Sequence, residues 1–282
     1  QKIVKSLEIK GPYNIQYLVK NGATYVIECN LRASRSIPYV SKTRGANLIE
    51  LATLTMLGKK LSDTGITELP PITHVGLKAP QFSFMRLSGA DPVLGVEMLS
   101  TGEVACLGEN FADAFLKALQ SAEFKIPPKE GAVFITVGGE DLKRKVVPLA
   151  ESLSEMGFRI YATEHTAETL RGAGLENISV LHKVRETGMN PNILDYLQKG
   201  KIDLVINIPV PNSSVKYSDI LEDEYVIRRL AVEFNVPVVT NLELASALVK
   251  VLKQNDGNNL TIRSLNEYMD SLTWKFWGES LT

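Results

Sequence analysis

Polar and apolar positions alternate near the start of the chain. Ile15, Tyr17 and Val19 fall on one side of an extended segment, and Asn14, Gln16 and Leu18 on the other. Lys20-Asn21-Gly22-Ala23 then supplies a turn, with the Asn-Gly pair that tight hairpins favour. Tyr25, Ile27 and Cys29 make one face of a return strand, and Val26, Glu28 and Asn30 make the other. The pattern predicts an antiparallel hairpin with Gln16 and Glu28 on neighbouring strands, aimed at the same side. The preceding residues, QKIVKSLEIK, read as strand, and the chain opens without Met. The first part of a larger domain is therefore expected upstream.

The rhythm then turns helical. Ala46 to Leu57 places Leu48, Leu51, Ala52 and Met56 at helical spacing, and Gly58 supplies a stop. Leu69-Pro70-Pro71-Ile72 is a break. Val75 to Phe84 reads as a strand, and two short strands are expected around Thr101-Gly102. Asn110 can cap a helix from Phe111 to Gln120. Lys125-Ile126-Pro127-Pro128-Lys129 reads as a linker between a domain over 1–127 and another over 128–282.

Beyond the linker, apolar runs alternate with helical stretches. Strands are expected over 131–137, 158–162, 178–181, 203–208 and 236–240. Helices are expected over 141–157, 167–173, 192–198, 225–234 and 242–252. Continuous apolar strands such as AVFITV and DLVINI imply a parallel sheet covered on both faces. With right-handed crossovers the default is a three-layer α/β/α, Rossmann-like sandwich. Trp274, Phe276 and Trp277 give the tail an apolar end that could pack on a neighbouring segment.

Composition and charge narrow the function classes. At 282 residues and a formal net charge of −1, whole-molecule electrostatics names no nucleic-acid partner, so any anion site must be local. No apolar run approaches the ~18 residues that a membrane span requires. The two cysteines, Cys29 and Cys106, make neither a disulfide framework nor a zinc set. Both read as buried, reduced and structural, which suits a cytoplasmic location.

Glu28 and Asn30, two apart on a strand, share a face with Gln16 across the hairpin. Carboxylate and amide oxygens are hard donors that suit Mg²⁺ beside phosphate. Arg32 and Arg35 could grip phosphate oxygens through forked hydrogen bonds. A solvated salt-bridge cluster at a strand–loop junction explains the same residues from spacing alone. In the second half, Thr163 and Thr166 lie where a strand enters a helix, with Lys143 and Lys183 near other strand ends. Helix N-termini and hydroxyls suit phosphate, and open parallel sheets bind ligands at the carboxyl ends of their strands. Helix-capping threonines with solvated lysines are the alternative. His165 and His182 do not read as a metal pair, and His74 has no companion.

IECNLRASRSIPYVSK resembles the metal-binding strand of the ATP-grasp domains of the carbamoyl-phosphate synthetase large subunit. GADPVLGVEMLSTGEVACLG, FADAFLKALQSAEFKIP, and DLVINIP followed by YVIRRLAVEFNVPVVTN resemble the same family in the same order. The resemblance covers nearly the whole chain. It implies the end of the second ATP-grasp domain, an α+β segment, followed by a methylglyoxal-synthase-like regulatory domain. It implies that Gln16, Glu28 and Asn30 bind magnesium (or manganese) and that Arg35, with Arg32 nearby, acts on the phosphate side. In the family this site uses ATP to phosphorylate carbamate. The nucleotide-binding lysine of the family would lie upstream, so the chain alone is expected to be inactive. The implied partners are the rest of the large subunit and a glutaminase small subunit.

The resemblance also implies that Lys143, Thr163, Thr166 and Lys183 hold the phosphate of an effector. Asn207 matches a position used by acetylglutamate-dependent relatives. Those relatives also use a Trp near position 182, where this chain has His182-Lys183, so a UMP- or IMP-like nucleotide is the expected effector. The ornithine-binding carboxylate and aromatic of bacterial relatives are unmatched at Gly76 and Val238, and Thr240 alone carries over. INIPVPNSSVK shows no counterpart of the catalytic aspartates of methylglyoxal synthase, which argues against that activity. A non-catalytic regulatory or assembly module that binds a phosphorylated effector is the alternative function.

Overall fold

The computed structural model describes residues 1–66, 69, 71–95, 97–186, 188–210, 218–254, 257 and 260–270. Trp274, Phe276 and Trp277 lie outside the described residues. The chain divides into two compact units, one of Gln1–Gly76, Leu107–Phe111 and Thr261–Thr282, the other of Leu77–Cys106 and Ala112–Leu260.

The first unit begins with helix α1 (Lys2–Ser6), where a strand was expected. Backbone N–H groups need partners, and no described strand pairs with this segment. One helical turn satisfies it locally, with the N–H groups of Lys5 and Leu7 donating to the carbonyls of Gln1 and Ile3 at 3.0 Å.

The hairpin forms as the alternation predicts. Strands β1 (Asn14–Lys20) and β2 (Ala23–Asn30) are antiparallel, with Gln16 opposite Glu28 and Asn14 opposite Asn30. Asn21 at φ 52° and Gly22 at φ 75° make the doubly left-handed turn that Asn-Gly tolerates. A register shift between Gln16 and Tyr17 bulges the ladder beside the Gln16–Glu28 pair.

Helix α2 (Ser36–Arg44) is not legible in the apolar pattern. The Ser41 and Thr43 hydroxyls donate to the carbonyls of Ile37 and Tyr39, one turn back, at 2.8 and 3.0 Å, and Gly45 ends the helix at φ 65°. Helix α3 (Leu48–Met56) lies within the expected 46–57 window and is capped by Asn47, whose Oδ1 accepts from the Glu50 N–H at 3.2 Å.

Strands β3 (Val75–Gln81) and β4 (Gly102–Gly108) form a second two-stranded sheet. The expected strand over 75–84 stops at Gln81, and of the two short strands expected around Thr101-Gly102 only β4 forms among the described residues. Helix α4 (Phe111–Ser121) follows as expected. The two free cysteines correct an expectation: both are half-buried rather than buried. Cys29 sits on β2 and Cys106 on β4, each in a two-stranded sheet, which covers its residues less completely than the five-stranded one.

The second unit contains the parallel sheet. It runs β5 (Ala132–Val137), α5 (Glu140–Glu155), β6 (Arg159–Ala162), α6 (Glu164–Gly172), β7 (Ile178–Val180), α7 (Ile193–Gln198), β8 (Leu204–Ile208), α8 (Ser218–Glu233), β9 (Val238–Val239) and α9 (Leu242–Gln254). The spatial order is β7-β6-β5-β8-β9, and each neighbouring pair is parallel. Every strand and helix expected here forms, with ends shifted by a few residues except at α8, which begins earlier.

All six residues of β5 are buried. Val133, Ile135 and Val137 pack with Val146, Leu149 and Leu153 of α5 and Leu248 of α9. Ala132 and Phe134 pack on the opposite face with Ile193 of α7 and Ile227 of α8. The order reverses at β5, with β6 on one side and β8 on the other, so a crevice opens outside the carboxyl end of that strand. A short helix, α10 (Leu265–Asp270), closes the described chain. In the first unit the buried Tyr268 of α10 meets His74 in a tilted ring contact, with centroids 5.4 Å apart.

Candidate functional site

Two residue groups merit description, one in each unit. At the end of the hairpin, pairing sets Gln16 against Glu28, while the two-residue strand repeat puts Asn30 on the face of Glu28. Asn30 Nδ2 donates to Glu28 Oε1 at 2.8 Å, which fixes the carboxylate beside the amide. Glu28 is exposed and Asn30 half-buried. Arg32 follows in an exposed loop and donates to its neighbour's carbonyl, that of Ala33, at 3.3 Å. Arg35 precedes α2 in helical conformation, at φ −60°, and is exposed. Neither arginine pairs with a carboxylate among the described residues. The group sets a row of oxygen donors beside two arginines, a donor set that fits a hard divalent cation.

The second group surrounds a cleft of about 200 Å³ at the carboxyl ends of β5, β6 and β7. Thr136, Gly138 and Gly139 follow β5, Thr163 and Thr166 enter α6, and His182 and Lys183 follow β7. Lys143 on α5 and Glu224 on α8 complete the wall. Parallel pairing of Ile135 with Ala162 brings Thr136 beside Thr163. The Thr163 hydroxyl lies 3.3 Å from that of Thr136 and 3.2 Å from that of Thr166. Thr163 occupies the N-cap position of α6 and makes no side-chain cap. Its hydroxyl belongs to the cleft instead. Thr166 Oγ1 accepts the Val137 N–H at 3.3 Å, which anchors it to β5.

The two lysines are held by carboxylates. Lys143 Nζ meets Glu140 Oε1 at 2.8 Å, and this contact holds the exposed Glu140 carboxyl below its usual range. Lys183 Nζ meets Asp223 Oδ2 at 3.3 Å, with Arg185 Nε 3.6 Å from the other oxygen. Glu186 Oε2 fixes the loop after β7, accepting the Lys183 N–H at 2.9 Å and lying 3.2 Å from His182 Nδ1.

Asn207 and Thr240 are placed differently. Asn207, on β8, is fully buried. Its Oδ1 accepts from Arg228 Nη1 at 2.9 Å and its Nδ2 donates to the Glu224 carbonyl at 3.3 Å. It therefore seats α8 rather than lining the cleft. Thr240 follows β9 and is not among the lining residues. Arg228 also grips Asp91, Nε to Oδ1 at 2.8 Å and Nη2 to Oδ2 at 2.6 Å. Arg229 Nη1 donates to the carbonyls of Phe84, Leu87 and Ala90 at 2.9, 3.0 and 3.3 Å, and Tyr225 Oη to that of Gly89 at 2.8 Å. One face of α8 thus shapes the cleft while another holds the turn over 84–91.

Burial, the largest influence, pushes the Glu224 carboxyl above its ordinary range. Arg228 and Lys183 pull it back, and Asp223 and Asp91 push it further up. A carboxyl raised by folding stabilises fully below its unfolded value and loses that contribution as pH rises through its folded value. The urea midpoint is therefore expected to fall as pH rises above the ordinary carboxylate range. Glu224→Gln should remove that part of the slope, as a series of urea titrations at stepped pH will show.

Residues 1–64 match the family described as "Carbamoyl-phosphate synthase L chain, ATP binding domain", and residues 145–240 match the "MGS-like domain". The chain is 42% identical over 90% of its length to the "Multifunctional protein URA2" of Saccharomyces cerevisiae. It is 41% identical over 95% of its length to the "Carbamoyl phosphate synthase large chain" of Methanobrevibacter smithii, and 41% over 90% to the human "Carbamoyl-phosphate synthase [ammonia], mitochondrial". In residues 1–64 and 145–240 the chain carries domains of the carbamoyl-phosphate synthase large chain. It spans 12%, 24% and 17% of the length of these three relatives, in that order.

The ATP-binding-domain match contains Gln16, Glu28, Asn30, Arg32 and Arg35, and the MGS-like match contains Thr163, Thr166, Lys183, Asn207 and Thr240. Lys143 falls two residues before the MGS-like match. Sequence reasoning missed Thr136, Glu186 and Glu224 in the cleft, and Asp223 as the partner of Lys183. The Gly138-Gly139 pair after an apolar strand was a usable signal, since Gly139 takes φ 74° and a Cβ on Gly138 would sit 2.6 Å from Val210. Glu224 gave no such signal, because it stands in an acidic run that reads as solvated helix. No described helix is long and apolar enough to cross a membrane.

Proposed function

We propose that the chain is the C-terminal portion of a carbamoyl-phosphate synthase large subunit: the end of its second ATP-grasp domain, over 1–127, and its regulatory domain, over 128–282. The observation that carries this reading is the cleft. Three threonine hydroxyls within 3.3 Å links of one another, flanked by two lysines, stand at the carboxyl ends of parallel strands in an MGS-like domain. This is the chemistry of a phosphate seat. The effector is a phosphorylated small molecule of the UMP or IMP kind, held by Lys143, Thr163, Thr166 and Lys183. Its binding biases the synthetase through different affinities for two states. Asn207 acts on the effector indirectly, through its hold on α8, and Thr240 marks the neighbouring strand end.

On the hairpin, Gln16, Glu28 and Asn30 would hold the magnesium or manganese that accompanies ATP. When bound, the cation would neutralise charge on the phosphate. Arg35 grips phosphate oxygens as charge builds, and Arg32 flanks it. Carbamate is the acceptor of the phosphoryl group. The hairpin is only part of that site. Tyr17, Val19, Tyr25 and Ile27 are each more than half exposed, and two strands alone are marginally stable in water. The rest of the large subunit would cover them, and a glutaminase subunit would complete the assembly.

Lys183→Ala is expected to weaken UMP binding by about 1–3 kcal/mol, the usual worth of a charge-assisted contact. Titration calorimetry checks this, and an unchanged affinity would move the phosphate elsewhere. The isolated chain is expected to form no carbamoyl phosphate from ATP, bicarbonate and ammonia. Sustained synthesis by the chain alone would show that the hairpin group is already a complete site.

A further inference from the structure

A carboxyl oxygen without a partner is built into the wall of the cleft. Glu224 is 5% exposed, and its Oε2 makes no hydrogen bond. Among the described lining residues it alone keeps a buried side-chain atom in that condition. The other polar groups are engaged: Thr163 with Thr136 and Thr166, Lys143 with Glu140, Lys183 with Asp223, His182 with Glu186. The other Glu224 oxygen, Oε1, lies against Gly138, where an added Cβ would approach it to 3.3 Å. A buried acceptor left unpaired is costly, and its persistence calls for an explanation outside the chain's own contacts.

We propose that Glu224 reads a hydrogen-bond donor, a hydroxyl or an N–H, on the body of the phosphorylated ligand whose phosphate occupies the threonine–lysine end of the cleft. This rests on the phosphate reading above and adds what distinguishes one phosphate ester from another. A phosphate cannot itself sit on Glu224, since two anions would face each other in a site shielded from water. The hydroxyls of Thr163 and Thr166 and the ammonium of Lys143 are the better seat. The cleft, at about 200 Å³, exceeds what a phosphate fills and leaves room for a body that reaches the acid. The charges facing Glu224 come from three elements: Arg228 and Asp223 on its own helix, Lys183 after β7, and Asp91 in the turn over 84–91. A neutral donor satisfies Oε2 without disturbing any of these pairs. A ribose hydroxyl of a nucleoside monophosphate has that chemistry.

The test compares two probes, UMP and inorganic phosphate, on the 282-residue chain and its Glu224→Ala and Glu224→Gln forms by titration calorimetry. Glu224→Ala should weaken UMP about tenfold and leave inorganic phosphate within about twofold, as the loss of one ligand contact predicts. Glu224→Gln keeps an acceptor and should lose less. Neither variant should melt below the parent chain, because each removes a buried carboxyl. An unchanged UMP affinity in Glu224→Ala, or an equal loss for both probes, overturns the proposal. So does a parent chain that binds UMP no tighter than phosphate, although the phosphate seat then stands. If neither probe binds the parent chain, the seat itself is refuted and the role of Glu224 with it.

Discussion

Asp91→Ala is expected to destabilise the unit of Leu77–Cys106 and Ala112–Leu260 by about 3 kcal/mol or more, because it strands a buried guanidinium. The Arg228 side chain is 4% exposed, whereas that of Asp91 is 36% exposed. The two residues share parallel hydrogen bonds at 2.8 and 2.6 Å. Without the carboxylate, Arg228 keeps one acceptor, the side-chain oxygen of Asn207 at 2.9 Å. A single neutral acceptor does not offset the loss of solvent around a full charge. Asp91→Asn preserves the shape and one acceptor and should lose less. Urea denaturation of both variants measures the difference. A loss below about 1 kcal/mol for Asp91→Ala would place the pair with exposed ion pairs and show that water reaches Arg228.

Phe134→Ala is expected to cost about 3–5 kcal/mol, the usual range for deleting a buried ring. Phe134 is fully buried on the central strand β5 and faces Leu181, Ile193, Leu197, Ile227 and Ala231. The β5 ladder is paired on both sides, to β6 and β8, so the backbone cannot close inward over the void. Leu181 and Ile227 also line the cleft, so the cavity opens directly beneath it. Chemical denaturation gives the magnitude, and Phe134→Leu, which fills most of the space, should lose far less. A cost under about 1.5 kcal/mol for the alanine would mean that α7 and α8 collapse onto the gap.

The second half of the chain was readable because its strands are buried on both faces. AVFITV and DLVINI carry no internal polar alternation to confuse them with surface strands, and each is followed by a helical period. The threonine–lysine end of the cleft was readable for a related reason. In an open parallel sheet the residues after each strand converge, so their position in sequence gives their position in space. The hairpin was legible from Asn21-Gly22, whose positive φ angles demand such residues.

The unreadable parts depend on contacts that local pattern does not encode. Helix α2 hides behind Ser41 and Thr43, which are buried polar residues satisfied one turn back. Residues Lys2–Ser6 look extended by composition and coil where no strand among the described residues pairs with them. Cys29 and Cys106 read as core residues, but each lies in a two-stranded sheet. Glu224 sits in ILEDEY, where the neighbouring Glu222 and Asp223 signal solvent in the sequence, yet it is buried against Gly138. Asp91 and Arg228 are 137 positions apart, a pairing that no periodicity announces.

The grip of α8 on the turn over 84–91 bears on how the half with the parallel sheet could be obtained by itself. The proline-rich connection at 125–129 looks like the natural place to cut. A piece starting there would lack the Asp91 carboxylate, the carbonyls of Phe84, Leu87 and Ala90 that Arg229 uses, and the Gly89 carbonyl that Tyr225 uses. Arg228 would keep only Asn207 and Arg229 only Glu233, and the excised piece would tend to clump or loosen. A cut made before Leu77 would carry its own counter-ions with it.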